Sequence, residues 1–143
     1  MRRAPRFVLL LAGAACPVLV QGGCALNAVG LDFGAYDIFN AQDTSITTNV
    51  GVTCDTDTSF EISLSAGTGT FASRTLVSGA NLLSYNLYVD PAHLTIWGDG
   101  SPGTATVSGS GTSRNFTVYG RIPARQNASV GSYSDTITVT ITF

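Results

Sequence analysis

The sequence has 143 residues, 44% hydrophobic and only 11% charged, where about 25% charged is usual for a soluble domain. It has room for one domain of ordinary size. Lysine is absent, and three of the seven arginines, Arg2, Arg3 and Arg6, precede the first apolar run, leaving four arginines against nine acidic residues, a net −5. That balance weighs against nucleic acid as a partner and leaves the surface to Ser, Thr, Asn and Gly.

Those three arginines open a secretory signal peptide. Phe7 to Ala15, FVLLLAGAA, has the length of an apolar signal core and is too short to span a bilayer. Small residues follow at Gly13-Ala14-Ala15 and at Val20-Gln21-Gly22. The second point, with Val at −3 and Gly at −1, is favoured, so residues 1–22 read as signal peptide and 23–143 as the mature domain. The competing reading, a buried helix of the mature protein, finds no other helical pattern to pack on. No second long apolar run follows, so the chain reads as exported without a membrane span. Cys16 leaves with the signal peptide; Cys24 and Cys54 remain as an even pair in an oxidising compartment and imply a disulfide. Two cysteines and the distant His93 are too few ligands for a closed zinc centre. Lipidation of Cys16 or Cys24 lacks the usual Leu at −3.

Along the mature chain, Val29, Leu31 and Phe33 alternate with Gly30 and Asp32 and read as a first strand, broken by Gly34 and Asp37 to Asn40. Ile46, Thr48, Val50, Val52 and Cys54 share one face of a second strand, and Phe60, Ile62 and Leu64 one face of a third. The Gly- and Thr-rich stretch from Ala66 to Thr70 reads as a loop. Leu83, Tyr85, Leu87 and Val89 mark a fourth strand, His93 to Trp97 a fifth and Thr104 to Ser108 a sixth. Phe116, Val118, Gly120 and Ile122 share a face in Asn115 to Ile122, and Pro123 to Ser132 is a long connection. The last stretch is the most regular: Ile137, Val139, Ile141 and Phe143 alternate with Thr136, Thr138, Thr140 and Thr142, the period of a half-buried strand. The total is about seven or eight short strands and no helical pattern, the signature of an all-β sandwich. A strand so apolar and regular needs partners on both edges, or it invites another chain.

Catalytic signatures are missing. The sequence has no Gly-x-Ser-x-Gly elbow, no His-Glu-x-x-His and no phosphate-cradling glycine loop. The lone His93 reads as a strand-end imidazole, and the lone Glu61 faces solvent by alternation. The aspartates of Cys54-Asp55-Thr56-Asp57-Thr58 and Gly98-Asp99-Gly100 read as turn caps and lack a calcium-loop spacing. Asn115-Phe116-Thr117 and Asn127-Ala128-Ser129 match the glycosylation pattern. Tyr85, Tyr88, Trp97, Tyr119 and Tyr133 suit either a sugar-binding face or core and cross-strand pairs. The chain reads as a non-enzyme without cofactor or metal.

Cys24 to Asp37, CALNAVGLDFGAYD, with Val52-Thr53-Cys54 and the ending Tyr119 to Phe143, YGRIPARQNASVGSYSDTITVTITF, resembles the spore coat protein U domain, a family that includes subunits of archaic chaperone-usher pili. The motif positions are Phe33, Gly34, Tyr36 and Asp37, then Tyr119, Gly120, Arg121, Ile122 and Pro123, then Gly131, Tyr133 and Asp135. The resemblance implies an immunoglobulin-like sandwich lacking its last strand, a Cys24–Cys54 bridge between its first strands, and an open groove bordered by the final strand. It further implies a periplasmic chaperone, an outer-membrane usher and neighbouring subunits as partners, with Ile137, Val139, Ile141 and Phe143 facing the strand that fills the groove. A fibre subunit needs a donor segment of roughly ten or more residues before the first cysteine, and cleavage after Gly22 leaves only Gly23. The expectation is therefore a terminal, tip position or a role outside a conventional fibre. A secreted, internally closed binding module, for a glycan for example, is the alternative function.

Overall fold

The computed structural model describes residues 6–13 and 23–143; the two cleavage points, including Val20 to Gly22, and Cys16 lie outside the described residues. The described residues form ten strands and no helix: β1 (Arg6–Gly13), β2 (Cys24–Ala28), β3 (Leu31–Ala35), β4 (Thr44–Leu64), β5 (Arg74–Ser78), β6 (Asn81–Tyr88), β7 (Ile96–Trp97), β8 (Thr104–Ala105), β9 (Val107–Ile122) and β10 (Ser132–Thr142). The sheet runs β2-β4-β9-β6-β5-β10-β1-β3, and a further pairing of β4 with β10 closes β4, β9, β6, β5 and β10 into a barrel-like circuit. The all-β reading holds.

Two expected strands are one. β4 is a single strand of 21 residues. Its even positions are inward at Val50, Val52 and Cys54 and again at Phe60, Ile62 and Leu64, because Phe60 stands an even number of positions, six, after Cys54. The Asp55 to Thr58 stretch, expected as a turn, is an exposed irregularity inside this strand, where the register against β9 shifts between Thr53 and Thr58. Its threonines favour extended backbone, so the polar run bends the strand without ending it. β4 changes partner across the irregularity: residues 50–54 pair with β2 and residues 61–64 with β10.

Three further elements differ from the sequence reading. β5 was hidden by the buried Arg74 at its start. β9 begins at Val107, well before Asn115, since the Gly109-Ser110-Gly111 segment stays extended against Phe60. The expected strand His93 to Trp97 shrinks to Ile96–Trp97, because the Asp90 carboxylate accepts the backbone N–H groups of Leu94 and Thr95 and His93 adopts a positive φ of 56°. Those hydrogen bonds hold the Asp90 carboxyl below the usual carboxylate range.

The core collects the inward faces of all the long strands. Leu76, Leu83, Leu87, Val118, Ile122, Ile137 and Val139 are wholly enclosed, and Trp97 is buried with its indole N–H donated to the Ile62 carbonyl at 3.0 Å. Cys24 and Cys54 face each other in the β2–β4 ladder and form a disulfide. Gly120 faces the same core, where a Cβ would stand 2.6 Å from Leu31 Cδ2 and 2.8 Å from Phe33 Cζ. The ring of Phe33 therefore lies where any side chain at 120 would be.

Two stability changes follow and are readable by urea unfolding. Gly120→Ala overpacks this contact and lowers stability by about 1–3 kcal/mol. Replacing both Cys24 and Cys54 by Ser, across a separation of 30 residues, lowers it by about 3–4 kcal/mol on the chain-entropy model.

Candidate functional site

β10 carries the site. Its odd positions Tyr133, Asp135, Ile137, Val139 and Ile141 are buried and its even positions exposed, while Phe143 lies beyond the strand and is 47% exposed. One edge of β10 meets β5 at Ser134↔Val77 and β4 from Val139↔Leu64 to Thr142↔Glu61. The other edge pairs in parallel with β1, from Arg6↔Ser132 to Gly13↔Val139. β1 in turn pairs antiparallel with β3, at Arg6↔Ala35, Phe7↔Gly34 and Leu9↔Leu31. The gap between β10 and β3 is thus one strand wide, and residues preceding Cys24 fill it.

Between the β5 and β4 ladders, β10 meets a loop. Ser65 donates its N–H to the Thr138 carbonyl at 3.0 Å, and Thr138 donates its N–H to Ser65 Oγ at 2.9 Å. The Asp135 carboxylate, only 5% exposed, accepts the N–H groups of Thr68 and Thr136 and the Tyr85 hydroxyl at 2.6 Å. Gly67, with φ +61°, lies so close to this carboxylate that a Cβ there would clash with it. Burial, then the hydrogen bond to Asp135 and its charge, push the Tyr85 phenol far up, so it stays protonated and donates.

Beneath the loop lies a fully enclosed arginine. Arg74 donates to the Ser65 carbonyl from Nε and Nη2, to the Trp97 carbonyl at 2.6 Å and to Asn86 Oδ1 at 2.7 Å. Burial lowers its pKa, and the nearby oxygens of Tyr85, Asp135 and Tyr88 oppose that. Sequence reasoning missed this network. The one available signal was the parity of Asp135, an odd position on a strand whose odd positions are otherwise apolar.

Two pairs of motif residues meet, Tyr36 with Pro123 and Phe33 with Gly120. Tyr36 is buried, donates its hydroxyl to the Pro123 carbonyl at 2.6 Å and accepts the Gln126 N–H at 3.0 Å. Phe33 packs over Gly120 as described. Asp37 accepts the Phe39 N–H in a local turn, and Gly34 has φ +71°. Arg121 reaches Asp43 at 3.6 Å and stands over the Tyr88 ring at 5.4 Å. Tyr133 is buried and donates to the Ser129 carbonyl at 2.7 Å; a Cβ on Gly131 would meet Ser78 Oγ at 2.6 Å. Ile122 is buried and Tyr119 half-buried. Among these, Phe33, Tyr36, Gly120, Ile122, Tyr133 and Asp135 are buried and pack the interior of the sheet.

The alternative aromatic face does not form. Tyr85, Trp97 and Tyr133 are enclosed in the core, and Tyr88 is covered by Arg121 and by His93, whose ring stands 5.1 Å from it. Among the described residues no group of three or more His, Cys, Asp or Glu could hold a metal ion, and no helix is long and apolar enough to cross a membrane.

Replacing Tyr85 with Phe removes one of the partners of a buried carboxylate and costs about 1.5–3 kcal/mol at neutral pH. A phenol whose folded pKa is raised gives stability that is complete below its unfolded pKa near 10 and is lost as pH rises from there toward the folded value. Thermal melts from pH 8 to 11.5 therefore fall steeply above pH 10 for the natural chain and less steeply for Tyr85→Phe.

The Spore Coat Protein U domain model matches residues 11–140. The curated "Protein U" of Myxococcus xanthus is 31% identical over 142 residues, covering 87% of this chain and 79% of that protein. The fold is similar to a chain in the solved chaperone–tip adhesion subunit pre-assembly complex of CsuC and CsuE, from the archaic chaperone-usher Csu pili of Acinetobacter baumannii. That match has a TM-score of 0.65 and 22% identity, covers 87% of this chain, and spans 40% of that one.

Proposed function

Starting from a chain that belongs to the Spore Coat Protein U domain family, we propose that it is a structural and adhesive surface subunit of a chaperone-usher type pilus, assembled by donation of a strand to the gap between β10 and β3. The observation that carries this reading is the occupant of that gap. The circuit of β4, β9, β6, β5 and β10 is built wholly from residues after Cys24, whereas the strand between β10 and β3 comes from Arg6–Gly13, inside the segment that reads as signal peptide. Removal of residues 1–22 would leave two facing ladder edges, an incomplete immunoglobulin-like sandwich with Ile137, Val139 and Ile141 along the opening. Unpaired main-chain groups over eight residues cannot remain buried without a partner.

On this reading, a periplasmic chaperone first supplies the missing strand, the usher exchanges it, and a neighbouring subunit supplies the last one. The solved relative in fold is a complex of a chaperone with a tip adhesion subunit, which supports a terminal position, an adhesive role and a place at the cell surface. Asp32, Asp37, Asp43, Asp90, Asp99 and Asp135 accept main-chain N–H groups, and the His93 ring packs against Tyr88, which supports a non-enzymatic role.

The test is export of the full chain to a periplasm, with and without its cognate chaperone, followed by size-exclusion chromatography of the processed product. Recovery as a one-to-one complex, with aggregation or proteolysis when the chaperone is absent, is the expected outcome. A stable monomer, processed after Gly22 and equally abundant without the chaperone, would replace this reading by an internally closed binding module.

A further inference from the structure

The same gap has an occupant within the chain, and its register is definite. Eight consecutive residues, Arg6 to Gly13, pair with Ser132 to Val139, and the opposite edge of the same segment pairs with Leu31, Gly34 and Ala35 of β3. A strand hydrogen-bonded on both edges is a central strand, which needs a run without charge or proline. Phe7 to Gly13, FVLLLAG, is such a run. The properties that make it read as a signal core are the same properties that let it complete a sheet.

We infer that Arg6–Gly13 is an intramolecular plug: in the unprocessed chain it closes the gap between β10 and β3, so that the acceptor site opens to a strand in trans only when this segment is cut away or displaced. The inference rests on the proposed strand-accepting function. Covalent attachment gives the plug an effective concentration in the millimolar range, far above that of any separate donor at micromolar level. A free strand therefore loses the competition while residues 6–13 remain attached. The two ladders are unequal. The one with β10 is unbroken, whereas the one with β3 shifts register between Phe7 and Leu9, so displacement starts from the β3 side.

The test compares the unprocessed full chain, refolded under oxidising conditions, with its Leu10→Pro variant, which removes a main-chain donor at the centre of β1. The probe is a synthetic peptide of residues 6–13. In the natural chain the amides of Ser132 to Val139 and of Leu31 to Ala35 are protected from hydrogen exchange and peptide uptake is negligible. In Leu10→Pro, protection in these two segments falls at least tenfold and added peptide restores it, while Val50 to Cys54 stays protected. Equal protection and equal peptide uptake in the two chains would overturn the plug and leave strand acceptance standing. Loss of protection in Leu10→Pro that the peptide fails to restore would keep the plug and overturn acceptance in trans.

If Leu10→Pro fails to fold, a chain with a protease site inserted between Gly22 and Gly23 is cut after folding. Segment 1–22 then stays bound in native mass spectra, and its dissociation in mild urea, with no peptide present, exposes β10 to exchange until the peptide of residues 6–13 is added. Its release with no change in β10 exchange would overturn the plug.

Discussion

The fold depends on keeping the main chain of β10 hydrogen-bonded along both edges. From Thr136 to Thr142 the strand has an apolar inner face and threonines outside, with no charge, proline or bulge to discourage pairing, and its inner residues Ile137 and Val139 are the floor of the core. Leaving one edge open would expose that floor as well as the backbone. Each of its neighbours is an answer to this requirement: β4 and β5 cover one edge in two separate stretches, the Ser65 to Thr68 loop covers the interval between them, and β1 covers the other edge.

The interval is where charge enters the core. An arginine with no exposed surface is tolerable only if nearly every donor finds an acceptor, and Arg74 does so mainly on main-chain carbonyls, those of Ser65 and Trp97. These carbonyls belong to the segments that irregular backbone would otherwise leave unpaired. Asp135 does the complementary work from β10, accepting the main-chain N–H of Thr68 from the loop. The buried cation and the buried carboxylate thus tie one loop to the sheet from both sides, each satisfying groups that the ladders skip.

The period-two pattern made the inner faces of β4, β6, β9 and β10 legible, because alternation survives even across the irregularity at Thr53 to Thr58. It failed where side chains, not pattern, decide the backbone. Arg74 opens a strand whose first inward residue is charged, so β5 did not read as a strand; Asp90 captures two N–H groups and shortens the strand expected from His93. The gap beside β10 was legible as a requirement, since so regular an edge needs a partner. Which residues fill it was not, because an uncharged run such as Phe7 to Gly13 satisfies a signal core and a central strand equally well.

The proposed exchange of the strand beside β10 would require that β10 itself stay in place while its neighbour leaves, and its own contacts provide for that. Its first half is held by side chains: the Tyr133 hydroxyl on the Ser129 carbonyl and the Asp135 carboxylate on Tyr85 and Thr68. Its second half is held by the ladder to Glu61 through Leu64, on a strand that β9 braces along most of its length. None of these contacts involves β1. Opening this edge therefore removes main-chain hydrogen bonds worth about 1 kcal/mol each net without releasing the strand, so that the vacated edge keeps the register that the next occupant must match.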